Sequence, residues 1–296
     1  RPSRGPSRHC SPGFRLVPAD LLQEGIGSMC ELFAMSSRNK VDVSFSLGVL
    51  AEHGGKRAPH KDGWGIAYYE DNDVRVIRDT TSASTSPWVR FVEQQYLDST
   101  LVIAHLRKAT LGAVAIRNTQ PFSRELAGRM HVFAHNGHLP AVRDPARFPL
   151  GSFHPVGDTD SEYAFCALLE RLKPSWLGGT SVPDVAVRHG IVREFAMALR
   201  QFGPANFLYC DGEVLFAHGD RRTQADGTIR APGLHRLHRQ CPGKTRLPDP
   251  VGVSIGSAGQ DVVLIASVPL TDEQWEPLHE GEVFAVAGGR IAGATT

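Results

Sequence analysis

Met29-Cys30-Glu31-Leu32-Phe33-Ala34-Met35 places a thiol directly before a short run of mostly apolar residues, and Met29 is the first methionine in the chain. Residues 31–35 have the length and composition of a strand. If Met29 is a start site and is removed, Cys30 becomes residue one. Its own α-amine, with an ordinary pKa of about 7.7–8.0, then stands ready as base for its side chain. Cys10, Cys166, Cys210 and Cys241 lack that opportunity. Cys166 in a helical stretch and Cys210 in a strand-like one read as small buried hydrophobes.

Upstream, residues 1–28 differ from everything that follows. They carry Arg1, Arg4, Arg8 and Arg15 against Asp20 and Glu24, with prolines at positions 2, 6, 12 and 18 and no signal-peptide-length apolar run. This leader, residues 1–29, reads as an organelle transit peptide, a start placed too early, or a disordered tail. Residues 30–296 are expected to form one domain, although 296 residues would on length alone suggest two.

Composition removes several function classes. The 32 Lys+Arg and 31 Asp+Glu give a net charge of +1, so there is no global field for nucleic acid or an anionic membrane. With 41% hydrophobic and 21% charged residues, the chain has the balance of a globular core. Its longest apolar runs, such as residues 262–266, fall far short of the roughly 18 residues a membrane helix needs. Five scattered cysteines without a CxxC pair argue against a disulfide framework or thiolate zinc site, and fit a reducing compartment, the cytoplasm. His235 and His238 are spaced His-x-x-His without a second ligand pair, so no metal is expected.

The coarse pattern predicts a helix over 45–52 and a hairpin of 65–69 with 74–78 across Glu70-Asp71-Asn72-Asp73. Further strands are expected over 101–107, 131–135, 207–209, 214–217, 262–267 and 283–287. Helices are expected over 162–172 and 185–200, the second lined on one face by Ile191, Phe195 and Leu199. Strands, then helices, then strands point to an α+β layering of antiparallel sheets and helices. The basic stretch 221–246, with seven Lys/Arg against Asp226, reads as a solvated loop or hairpin.

Individually ambiguous fragments could serve a cysteine nucleophile. Asn136-Gly137 could be a plain turn, or an amide and a glycine N–H aimed at one oxyanion. Arg107, at the end of an apolar strand, could be a surface residue or a two-pronged clamp for a carboxylate. In Gly157-Asp158-Thr159-Asp160-Ser161-Glu162, Asp158 or Thr159 could cap a helix and leave Asp160 for a substrate ammonium.

The order of these fragments is specific. Met29-Cys30-Glu31-Leu32, His60-Lys61-Asp62-Gly63-Trp64-Gly65-Ile66, Ala104-His105-Leu106-Arg107-Lys108-Ala109-Thr110, Asn118-Thr119-Gln120-Pro121-Phe122, Ala134-His135-Asn136-Gly137 and Gly157-Asp158-Thr159-Asp160-Ser161-Glu162 together resemble the class II glutamine amidotransferases. The match is nearest to the stand-alone bacterial branch without a synthase domain, to which Ala266-Ser267-Val268-Pro269-Leu270-Thr271 and Trp275 through Glu282 are also similar.

The resemblance implies an N-terminal-nucleophile hydrolase fold, a four-layer αββα sandwich of two antiparallel sheets. It implies Cys30 as nucleophile on the glutamine side-chain amide and Asn136 and Gly137 as oxyanion hole. Arg107, with Thr110 nearby, would hold the α-carboxylate, and Asp160 the α-ammonium. A thioester would form, ammonia would leave, and no cofactor is implied. Lys108 and Leu111 stand where synthase-linked members often carry an aromatic and a histidine. The ammonia acceptor is therefore expected to be water or the substrate of a separate enzyme. Two further readings remain: a γ-glutamyl amide hydrolase in a small-molecule pathway, and a non-catalytic binding protein if the leader stays attached.

Overall fold

The computed structural model describes residues 30–42, 62–94, 98–108, 112–224, 226–241 and 259–295. The leader, the helix expected over 45–52, Thr110 and Leu111 lie outside the described residues.

Two antiparallel sheets stack face to face. The first has seven strands, β1 (Glu31–Asp42), β2 (Trp64–Glu70), β3 (Asp73–Asp79), β4 (Asp98–Leu106), β11 (His235–Cys241), β12 (Gln260–Ala266) and β13 (Glu276–Pro277). Their order is β13-β11-β12-β1-β4-β2-β3. The second holds β5 (Phe122–Leu126), β6 (Arg129–Gly137), β7 (Ala205–Cys210), β8 (Val214–His218), β14 (Val283–Ala287) and β15 (Arg290–Thr295). Its order is β15-β14-β8-β7-β6-β5. Between the sheets in sequence, β9 (Arg222–Thr223) and β10 (Ile229–Arg230) form a separate two-stranded ribbon.

Side-chain alternation explains the layering. Along β1, Leu32 and Ala34 enter the layer between the sheets, where they join Ile103, Val132, Ala134, Leu208, Ala217 and Phe284. Phe33 and Met35 point the other way, into a cluster with Trp64, Ile66 and Leu264 that α1 (Pro87–Gln94) covers with Val89 and Val92. The second sheet behaves likewise. Phe133, Phe207 and Phe216 leave the inter-sheet layer and pack under α2 (Asp160–Leu177) and α3 (Val185–Leu199). Strands buried on both faces require a helical layer outside each sheet, and the result is the αββα sandwich. Among the described residues, no helix is long and apolar enough to cross a membrane.

Most expected elements are present, with shifted ends. The hairpin pairs Glu70 with Asp73 across Asp71-Asn72, and Asp71 takes a positive φ of 57°. β1 continues past Met35 because a register shift between Ser36 and Val41 lets it keep pairing with β4. The basic stretch is only partly the expected hairpin: Arg222–Thr223 and Ile229–Arg230 pair as the β9–β10 ribbon, whereas His235–Cys241 is a strand of the main sheet. Several of its described charges are paired: Arg236 with Glu276 and Glu282, Arg239 with Glu273, and Arg230 with Asp226. A strand with two arginines and two histidines around a single leucine conceals its period from a hydropathy reading.

Candidate active site

Cys30 precedes β1, whose first residue Glu31 pairs with Leu106 at the end of β4. That register brings the residues just after β4 beside the thiol. The Lys108 N–H donates to Cys30 Sγ at 3.2 Å, and Sγ lies 3.3 Å from the Lys108 carbonyl. Burial pushes the Cys30 thiol up to about 11, against the pull of the Lys108 hydrogen bond and of the Arg107 charge.

The head of β1 is fixed from behind. Leu32 N–H donates to Ser267 Oγ at 3.0 Å, while Ser267 N–H donates to the Leu32 carbonyl at 3.0 Å. Buried Arg222 in turn donates to the Ser267 carbonyl at 2.7 Å. This is the described role of one residue of the basic stretch, and neither Ser267 nor Arg222 was singled out by residue chemistry.

Arg107 leaves β4 one residue earlier than expected and is buried, which sets aside the surface reading. Its guanidinium donates to the Asp62 carbonyl at 3.4 Å and the Gly112 carbonyl at 3.2 Å. Burial lowers its pKa, opposed by Cys30 and Asp62, so an arriving anion would restore part of the stabilisation its charge loses on desolvation. The Gly112 loop is itself held by Asn118, which donates to Ala113 O at 3.0 Å and accepts from Asp158 N–H at 2.8 Å.

From the second sheet, Asn136 and Gly137 close β6. The buried Asn136 side-chain amide donates to the carbonyl oxygen of Cys30, joining the two sheets at the thiol. Gly137 cannot carry a side chain: a Cβ there would lie 1.8 Å from the Pro204 carbonyl oxygen. Asn136-Gly137 is thus strand end rather than turn, paired with Asn206 and Ala205 of β7.

The start of α2 supplies the carboxylate. Thr159 is its cap, accepting from Glu162 N–H at 3.2 Å. Asp160, which the sequence reading left for a ligand, already accepts from Leu139 N–H at 2.7 Å and Ser161 N–H at 2.8 Å. A carboxylate offers about four lone-pair sites, so capacity for an ammonium remains. Asp160 also acts on the Cys30 thiol electrostatically. A cavity of about 420 Å³ opens beside it, lined by His138, Leu139, Pro140, Arg143, Asp158 and Asp160, with His138 Nδ1 at 3.7 Å from Asp160.

The fold therefore gathers Cys30, Arg107, Asn136, Gly137 and Asp160 from four separate segments. His235 and His238 do not converge: three residues apart on β11, they fall on opposite faces. Among the described residues, no three His, Cys, Asp or Glu side chains form a metal-binding group. Cys30, Cys166 and Cys210 are free thiols.

A cysteine heading the central strand of an αββα sandwich, next to a strand-end Asn-Gly from the opposite sheet, is the arrangement of the N-terminal-nucleophile amidotransferases. Residues 29–296 match the family model "Glutamine amidotransferases class-II", and the chain belongs to that family. It is 37% identical over 260 residues to "Putative glutamine amidotransferase YafJ" of Escherichia coli (strain K12), covering 86% of this chain and 96% of that protein. A crystal structure of a "predicted glutamine amidotransferase" from Pseudomonas aeruginosa PA01 is 31% identical, with TM-score 0.64, covering 89% of this chain and 100% of that one. The Bacillus subtilis glutamine phosphoribosylpyrophosphate amidotransferase shares the fold at 13% identity and TM-score 0.56, matching 90% of this chain but 49% of its own length.

Proposed function

We propose that the chain is a cysteine-dependent glutamine amidohydrolase that supplies ammonia, with Cys30 as residue one of the mature protein. The observation that carries this reading is the Asn136 side-chain amide bonded to Cys30, which sets an oxyanion donor against the nucleophile. The Cys30 α-amine takes the thiol proton as Sγ bonds to the amide carbon of glutamine. The resulting oxyanion is held by Asn136 Nδ2 and the Gly137 N–H. The α-ammonium returns the proton to the amide nitrogen, the C–N bond breaks, and ammonia leaves a thioester. Water, deprotonated by the same amine, cleaves the thioester to glutamate and regenerates the thiol.

Arg107 holds the substrate α-carboxylate and Asp160 its α-ammonium, with Thr110 assisting. The ammonia passes to water or to the substrate of a separate acceptor enzyme. Free thiols at Cys30, Cys166 and Cys210 agree with a reducing, cytoplasmic setting. The test is ammonia and glutamate release from glutamine by protein beginning at Cys30, with γ-glutamyl amides assayed in parallel. Release in equal amounts supports the reading. Preference for the γ-glutamyl amides would move the substrate assignment, and binding without turnover would replace catalysis with recognition.

A further inference from the structure

We infer that Asn206, on β7, is a positioning residue of the oxyanion hole, a role that rests on the function proposed for Asn136 and Gly137. The carbonyl of Asn136 and the N–H of Gly137 belong to one peptide group. Asn206 stands directly across from Asn136 in the β6–β7 ladder, and its Nδ2 donates to the Asn136 carbonyl at 3.3 Å. The side chain is 0% exposed, so water does not substitute for it.

Its orientation is fixed by independent contacts. Asn206 Oδ1 accepts from the Asp220 N–H at 2.7 Å, a partner that can only donate. Nδ2 must then face the two carbonyls, those of Asn136 and of Arg221, the latter at 2.8 Å. Gly233 makes room for this placement: a Cβ there would sit 1.7 Å from Asn206 Oδ1. Asn206 is thus clamped by Asp220 and Arg221 and holds the carbonyl end of the peptide whose N–H is the proposed oxyanion donor.

Two consequences follow from that geometry. The peptide plane cannot rotate, so the Gly137 N–H keeps its aim as charge develops. Donation to the carbonyl also polarises the peptide and strengthens its N–H as a donor, because hydrogen bonds in a chain reinforce one another. Neither effect touches the groups that bind ground-state substrate, since Arg107 and Asp160 sit on other segments.

The experiment compares wild type with Asn206→Asp, which keeps the acceptor for Asp220 and removes both donors, and with Asn206→Ala. Ammonia release should lose about 10-fold in kcat, less than the ~100–1,000-fold expected for removing an oxyanion donor outright, with KM changed less than about twofold. Alkylation of Cys30 by iodoacetamide, a displacement that forms no oxyanion, should keep its rate within about twofold. Unchanged kcat in both variants would overturn the role, as would a parallel fall in kcat and alkylation, which would mark a general loosening of the site. A wild-type chain that binds glutamine and releases no ammonia would overturn the proposed function and this role together.

Discussion

Asn136 reaches from the end of the second sheet and donates its side-chain amide to the carbonyl oxygen of Cys30, the residue that opens the first. The two lie 106 positions apart in the chain. This one bond ties the two sheets together beside the thiol, and their stacking holds both residues.

Removing the donor should act on turnover. Asn136→Ala is expected to lower kcat for ammonia release by ~100–1,000-fold with little change in KM, as found when oxyanion donors are deleted elsewhere. Steady-state kinetics on glutamine give both numbers, and a variant that changed KM alone would place Asn136 in substrate binding instead.

The thiols should separate cleanly. Cys30→Ala is expected to abolish ammonia release. Cys166→Ala should leave it largely intact, because Cys166 is fully buried inside α2 and has no α-amine of its own to take its proton. Equal loss in both variants would remove Cys30 from the nucleophile's place.

The leader should control reactivity through pH. With residues 1–29 attached, burial holds the Cys30 thiol near 11, so the thiolate fraction falls about tenfold per pH unit below that value. Its alkylation rate should therefore climb through pH 9 and 10 without a plateau. A chain beginning at Cys30 carries an α-amine that deprotonates near pH 7.7–8.0, and its activity should rise and level off around that range. Superimposable profiles for the two forms would remove the α-amine from the mechanism.

Substrate binding should depend on charge geometry. Arg107→Lys keeps the charge but loses the planar fork, and is expected to raise KM by about 10-fold while kcat changes little. Asp160→Asn should also raise KM. Asp160→Ala should in addition lower the thermal midpoint, since Leu139 N–H and Ser161 N–H lose their acceptor. Titration calorimetry with glutamate, the product, checks the binding share of each effect.

Stability has its own test, far from the thiol. Arg188 on α3 pairs with Asp211 at 2.8 Å, both essentially out of solvent, and with Glu213 at 2.9 Å. Arg188→Met leaves Asp211 buried without its cation and should cost about 3–5 kcal/mol in urea unfolding. The KM for glutamine should not move.

Much of the architecture was legible because burial writes a local period. The runs at β6, β12 and β14 are apolar on both faces, which predicts strands covered on both sides, and Asp71-Asn72 marks the β2–β3 hairpin. Other elements hid. β11 reads His-Arg-Leu-His-Arg-Gln-Cys, its arginines neutralised by Glu276, Glu282 and Glu273 from sequence-distant segments. β15 is a glycine-containing edge strand with little hydrophobic signal, and α1 is a single short helix with Trp88 and Phe91 exposed.

Motif order in the sequence by itself determined the family, and with it the expected αββα sandwich, while local patterning carried an α+β layering and the short segments from which a cysteine-centred site could be assembled. These follow from residue type, local spacing and motif order, which survive in one dimension. Only the tertiary structure decided that Lys108 contributes its backbone to the thiol, that Ser267 and Arg222 brace the head of β1, and that Asn206 grips the Asn136–Gly137 peptide. Those relations depend on strand register and on one sheet lying over the other. A backbone N–H or a cross-strand amide leaves no periodic signal, because its partner is chosen by the packing of residues tens to hundreds of positions away.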